Sequence, residues 1–410
     1  VEGAVLGLDD RLVAADLWRD PYPLLDRLRR EAPVWRLPGE NAYLVTTWEL
    51  VADATRRVED FSNHFRYTVF SHDDGTLGAL ETGAIGPDVF AGADPPVHTA
   101  QRKIFFGELV QKKMEAIEPY VTAVTDELLD DLLAARHGDA ATAFTHRLPM
   151  RVIVERVIGF RDPDLDQIRD WMFEGARLVG GLVTLEQMMA LSGTVAGMAP
   201  WTAAQLDAAI AAPSEGDVLS ASAAAVRDGS LTHEEASFTL MVLVGAGAET
   251  TTSLIGIAIG LMAERPELQD ELRADPAKVP AFIEEVLRYD SPFRYHPRTA
   301  ARTVELNGVP IPEGALLLLS WSGANRDGAV FDQPDEVKLD RRNHHLHFGF
   351  GRGIHHCVGA PLARLEARVA LTRLLARTSS FALDPDLPPQ WSESIWIHRH
   401  DQLPLVMEAR

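Results

Sequence analysis

A chain of 410 residues, 46% hydrophobic and 24% charged, has ordinary globular composition and enough length to bury a large core. Its formal net charge of −21 argues against a nucleic-acid-binding surface and leaves any acidic partner to a local cluster of cations. One cysteine excludes an intramolecular disulfide and fits a reducing, cytoplasmic setting.

The opening stretch, residues 1–23, has no basic region followed by an apolar core and a cleavage site, so neither a signal peptide nor a membrane anchor is expected there. Short β-like runs follow, APVWRL (32–37) and NAYLVTT (41–47). They return in TVELNGVPIPEGALLLLSW (303–321), which reads as two strands around a Pro-Glu-Gly turn. Short strands must pair, so these segments are expected to share one small sheet. Between them, Phe65 to Pro96 is rich in Gly and Asp and weakly periodic, and it reads as a long loop, either functional or disordered.

Helical periodicity dominates elsewhere, with no internal repeat. The strongest helix starts at SLTHEEASFTL, where Thr232 and Glu235 form a capping box, and runs to about Ala263 with Pro266 beyond it. Its length, about 45–50 Å, crosses a whole domain. From Leu240 to Met262 the one ionisable side chain is Glu249. Length and apolarity would suit a membrane span, but a central carboxylate is costly in lipid, and a buried core helix is the better reading. That reading leaves the carboxylate unexplained.

The cysteine sits in FGFGRGIHHCVG (348–359). A structural zinc site needs about four ligands at usable spacing, and His355, His356 and Cys357 are consecutive, with no second cysteine. An inert buried cysteine and a catalytic thiol with a histidine base both remain. Gly349, Gly351 and Gly353 alternate through the loop and allow close backbone approach to something flat or bulky. GAPLARLEARVALTRLLAR then reads as a helix, so Cys357 lies at a helix N-terminus, which favours thiolate over thiol. Such a thiolate is a metal ligand or a nucleophile.

FGRGIHHCVGA resembles the haem-binding signature of the cytochrome P450 family, Phe-Gly-x-Gly-x-His-x-Cys-x-Gly, at Phe350, Gly351, Gly353, His355, Cys357 and Gly359. The resemblance implies haem b with Cys357 as proximal iron ligand, Phe350 packed beside the sulfur and His355 at a propionate. An axial thiolate pushes electron density toward iron and favours O–O cleavage. AGAETTTS, from Ala246, resembles the family's distal stretch. There Ala246 and Gly247 leave room for dioxygen, Thr250 hydrogen-bonds locally and opens a groove, and Glu249 with Thr250 relays protons. Glu285 and Arg288 match the structural Glu-x-x-Arg pair, whose third partner is Arg341, with Arg342 as the alternative. His98 and Arg102, four residues apart in DPPVHTAQRK, and Arg298 in YHPRTA fall where the family binds the propionates with directed cations. No role is assigned to His356.

The resemblance runs from DPYPLLDRLRREAPVW to QLPLVM. It implies a mainly α fold with a minor β-region, one triangular haem domain over 1–410, a monomer with neither membrane nor nucleic-acid partner. The implied activity is that of a monooxygenase placing one oxygen atom of O2 into a C–H bond or an alkene. GAGAET lacks the last glycine of a dinucleotide loop, and one cysteine holds no iron–sulfur cluster. Electrons are therefore expected from a separate ferredoxin and ferredoxin reductase, docking on a basic patch of Arg352, Arg364, Lys112 and Lys113. By analogy the substrate pocket takes Phe70, Val244, Ala248, Phe293 and Trp396, which are apolar, with Arg294 or Arg66 as a carboxylate anchor. The alternatives are a peroxide-driven peroxygenase, a haem protein that binds a gas or small molecule without turnover, and a haem-free cysteine hydrolase.

Overall fold

The computed structural model describes residues 14–82 and 86–410. The reading of residues 1–13 as free of a leader or anchor lies outside the described residues, as do 83–85 of the Phe65–Pro96 segment. Helix His233–Glu264 is the axis of the molecule. Thr232 Oγ1 accepts from the Glu235 amide at 3.1 Å, and the Glu235 carboxylate accepts from the Thr232 amide at 2.7 Å. Orphan donors of the first turn are thus satisfied at once. From Thr251 to Ala263 every residue is buried, so this half is apolar all round because protein surrounds it. By length and composition the helix could span a membrane, but most of its apolar window lies inside the fold.

Helices Val279–Tyr289 and Ala360–Arg377 pack against it, with Glu118–Leu133 on the far side of Ala360–Arg377, and the three contribute Val121, Leu128, Ile283, Val286, Leu371 and Leu374 to one continuous core. The π-wound segment Val152–Ile158 crosses the long helix near Gly247, where a Cβ would stand 2.8 Å from Ile153.

The β-region differs in detail from the expectation. Val34–Arg36, Ala42–Val45, Leu316–Ser320, Tyr295–Ala300 and Phe61–Ser62 form one sheet in that order, so the distant N-terminal and 316–320 segments do meet, in parallel register with Leu316 opposite Ala42. The two strands flanking Pro-Glu-Gly, however, do not pair with each other. Val309–Ile311 pairs with Val304–Leu306 across Asn307-Gly308, both at positive φ, which makes a separate tight hairpin. The turn at Gly314 instead redirects the chain into the larger sheet.

Phe65–Pro96 is likewise more than a loop. Tyr67–Ser71 and Leu77–Glu81 make a hairpin closed by the Gly75 amide on the His72 carbonyl at 2.8 Å. Its apolar run was too short to show a period.

The C-terminal chain returns to the long helix. Gln390–Trp391 pairs with His400–Gln402, and His400 sits in a groove made by Gly256 and Gly260, whose hypothetical Cβ atoms would approach it to 3.3 and 3.2 Å. Two glycines one turn apart thus let this strand lie against the helix backbone, which brings Arg399 beside Glu249.

Candidate active site

Within the cysteine loop, Gly351 and Gly353 have φ of 64° and 73°, a left-handed backbone that other residues resist. These two turns let the Cys357 amide donate to the Phe350 carbonyl at 2.8 Å, and the Phe348 amide is anchored on Asn325 Oδ1 at 2.7 Å. Gly349 serves packing instead: a Cβ there would lie 3.1 Å from Leu287. Phe350 is buried with the Arg364 guanidinium 4.4 Å above its ring. Cys357 is a free thiol with accessible surface although protein surrounds it densely, the condition of a group at the floor of a cleft. Burial raises its pKa, against the pull of the Gly359 and Ala360 amides and of Arg102 and Arg364. The helix terminus alone therefore does not ionise the thiol, contrary to the reading from position. A bound metal ion reverses that balance, because a coordinating thiol is deprotonated outright.

Four cationic or titratable side chains converge beside the loop. His98 and Arg102 come from helix Val97–Phe106, Arg298 from strand Tyr295–Ala300, and His355 from the loop itself. The His98 and His355 rings are 4.3 Å apart. Arg102 donates to the His356 carbonyl at 2.7 Å, so the backbone of His356 has a partner while its ring stays exposed. Asn63 Nδ2 lies 3.4 Å from His355 Nδ1, a contact absent from the sequence reading. Burial pushes His355 down to about 3, aided by Arg298, His98 and Arg102, and it also lowers His98. Both ring nitrogens of His98 and Nε2 of His355 are buried without a partner among the described residues. Unspent donors among positive charges fit an anionic ligand.

On the long helix, Thr250 Oγ1 donates to the Ala246 carbonyl at 2.6 Å, the local bond expected of it, and Ala246 is exposed. Gly247 is different. It faces Ile153, so its missing side chain serves helix packing and not space for a small molecule. Glu249 is buried and bound to Arg399 Nη1 at 2.6 Å, a partner 150 residues away that no local pattern announces. Burial lifts the carboxyl to about 7, with Arg399 opposing and Asp401 adding to the rise.

The sequence pattern of the family described as Cytochrome P450 matches residues 205–393. Cytochrome P450 144 of Mycobacterium tuberculosis is 36% identical over 396 residues, covering 96% of this chain and 90% of that protein. The 6-deoxyerythronolide B hydroxylase of Saccharopolyspora erythraea is 32% identical, over 95% of this chain and 96% of that one. This chain belongs to the cytochrome P450 family. Among solved structures, CYP109E1 of Bacillus megaterium in complex with testosterone superposes with a TM-score of 0.84 at 26% identity, covering 96% and 99% of the two chains. A mutant of P450 EryK in complex with erythromycin B gives 0.82 at 30% identity, covering 95% and 97%.

As a cytochrome P450 the protein is a haem b monooxygenase, which displaces the haem-free hydrolase alternative. The residues present fit that cofactor: an accessible sulfur at a helix N-terminus beside orphaned, buried histidine nitrogens and two arginines. Haem held by these residues would supply dioxygen binding and one-electron chemistry.

A cavity of about 660 Å³ lies against the long helix, lined by Met172, Phe293 and Trp396 among others, with Phe238, Met241, Gly245 and Glu249 on the helix side. Phe293 and Trp396 were foreseen. Four other pocket expectations are corrected. Val244 and Ala248 point into the core, because the helix turns them away from Gly245 and Glu249. Phe70 packs edge-on against His72, 4.8 Å away. Arg294 is buried between the Trp18 carbonyl and Asp290, facing away from the cavity. Arg66 does line it but lies 3.8 Å from Glu81.

The third member of the Glu285 cluster is Arg341. Glu285 accepts from Arg288 at 2.8 Å through each oxygen and from Arg341 Nε at 2.9 and 3.1 Å. Arg342 is exposed.

Proposed function

We propose that this cytochrome P450 hydroxylates or epoxidises a small, largely apolar organic substrate bound in the 660 Å³ cavity, as one domain over 1–410, monomeric and cytoplasmic. The observation that carries this is the apolar lining where the cavity meets the Gly245–Glu249 face of the helix. Its volume suits a drug-sized ligand. A relative named 6-deoxyerythronolide B hydroxylase and neighbours solved with testosterone and erythromycin B support a largely apolar organic class. Cys357 would bind the haem iron through its sulfur, and His98, Arg102, Arg298 and His355 would hold the two propionates by charge-assisted bonds. Glu249 and Thr250, on adjacent positions of the long helix, would hold and move protons at the oxygen-binding side.

Electrons come from a separate ferredoxin and its reductase. Of the four cations proposed for docking it, Lys112 is exposed, Arg352 donates to the His345 carbonyl at 3.3 Å, Arg364 is bound to Glu284 at 2.6 and 3.0 Å, and Lys113 is bound to Glu108. The test is the spectrum of the reduced, carbon monoxide-bound protein, followed by a ligand screen for spin-state shifts. The long-wavelength band of thiolate ligation and a shift with apolar organic ligands are expected. Imidazole-type ligation, or shifts confined to small charged ligands, overturns the reading.

A further inference from the structure

We infer that Arg399 is a positioning residue for this reaction: backed by Asp401, it holds the Glu249 carboxylate at the cavity wall and sets the protonation state in which that acid works. The inference rests on the reading of Glu249 as the acid that handles protons.

The geometry surrounding Arg399 leaves its guanidinium little freedom. Nη1 donates to Glu249 Oε1 at 2.6 Å. Nη2 donates to Asp401 Oδ1 at 2.7 Å and to Ser392 Oγ at 3.2 Å. The Phe173 ring covers one face at 3.6 Å, a desolvated cation–π contact. The Arg399 and Glu249 side chains are 2% and 5% exposed, so the pair is taken out of water and must be held in good geometry to persist. None of these partners is on the long helix apart from Glu249. The clamp is the C-terminal hairpin, held to the helix by the Gly256–Gly260 groove and by Ser253 Oγ on the His398 carbonyl.

Glu249 lines the cavity, whereas Asp401 is 44% exposed. One cation therefore joins a carboxylate at the substrate wall to a carboxylate at the surface. The two act on Glu249 with opposite sign: Arg399 lowers its proton affinity and Asp401 raises it, on top of a burial effect that already favours the proton. The remaining titratable groups nearby are His146, which feels both Arg399 and Asp401, and His398 and His400 on the same chain segment; burial lowers all three. A buried carboxyl balanced near neutrality exchanges protons at the working pH, which a firmly ionised or firmly neutral acid does not. A planar, permanently charged fork suits this role better than a lysine.

The opposite signs give the test. In the holoenzyme, the protonated-carboxyl infrared band that is lost in Glu249→Gln is titrated in wild type, Arg399→Gln, Arg399→Lys and Asp401→Asn. Arg399→Gln is expected to move that titration up by about one pH unit or more, and Asp401→Asn to move it down. Turnover near neutral pH falls about tenfold in Arg399→Gln, with the substrate dissociation constant held within about twofold, and Arg399→Lys recovers part of it. Shifts in the same direction, no shift, or an affinity loss matching the turnover loss overturns the inference. Should Arg399→Gln fail to fold, an unshifted Asp401→Asn titration overturns it alone. Failure of the reading of Glu249 as the proton-handling acid shows separately, as Glu249→Gln with wild-type turnover, while the infrared titration still reports whether Arg399 governs Glu249.

Discussion

Arg341 Nε reaches both carboxylate oxygens of Glu285, at 2.9 and 3.1 Å across 56 residues of chain, while its other nitrogens donate to the carbonyls of Asp332, Gln333 and Glu336. Arg288 completes the cluster from the Glu285 helix and donates to the Asn325, Pro334 and Glu336 carbonyls. The segment before the cysteine loop is thereby fastened to helix Val279–Tyr289 through buried, fully partnered charges. Removing one partner leaves an uncompensated buried charge. Arg341→Ala is expected to cost about 3–5 kcal/mol in a denaturation midpoint, and Arg342→Ala, at an exposed site, about 0.5 kcal/mol or less. Equal effects of the two substitutions would contradict the assignment.

Gly247→Ala places a methyl 2.8 Å from Ile153. Overpacking of this kind costs about 1–3 kcal/mol. In an Ile153→Ala background the same substitution should cost less of the thermal midpoint, because the methyl meets both Cδ1 and Cγ1 of that side chain at 2.8 Å and alanine lacks both. A glycine serving only as room for a ligand predicts unchanged stability and no rescue.

Arg294 is fixed by the Trp18 carbonyl and Asp290, so Arg294→Leu should lower stability and leave the preference between acidic and neutral ligands unchanged. Spin-state titrations with a matched acid and its methyl ester decide this. A selective loss of acid binding would return Arg294 to the pocket.

Arg298→Leu removes a buried cation whose pKa burial already lowers to about 10. Loss of one charge-assisted bond, about 1.5–3 kcal/mol, corresponds to haem release faster by about tenfold or more, measured by transfer to an apoglobin acceptor. An unchanged release rate removes Arg298 from the propionate set.

Acid sensitivity should come in part from three buried histidines near the C-terminal hairpin. Burial holds His146 and His398 down to about 4 and His400 to about 3, below their ordinary range. Below about pH 6.5 the unfolded chain binds these protons and the folded one does not, so stability is full above that pH and falls as pH drops. By linkage each costs about 2 kcal/mol at pH 5. His146 Nε2 donates to the His400 carbonyl at 2.8 Å, and His146→Gln keeps a donor there. Urea melts at pH 7 and pH 5 should show a smaller pH-induced loss in that variant than in wild type.

Much of this was legible in the primary structure because it is local. Thr232 and Glu235 lie one turn apart, so the cap is a property of four residues. Glu285 and Arg288 share a helix face at spacing three. The glycine pattern before Cys357 and the resemblance it carries placed the thiol, the cations and the family on one short loop and a few scattered motifs.

Tertiary structure decided what depends on distant chain. Glu249 was visible as an odd carboxylate in an apolar helix, but whether it stood alone or paired depended on Arg399, which carries no sequence signal and arrives only because Gly256 and Gly260 admit the returning strand. Direction was equally hidden. Arg294 next to Phe293 reads as pocket-facing until Trp18 and Asp290 claim its donors, and Val244 and Gly245 are neighbours on opposite sides of one helix turn. Local spacing determines which residues share a face; the elements that pack against that face determine whether it meets protein, cofactor or substrate.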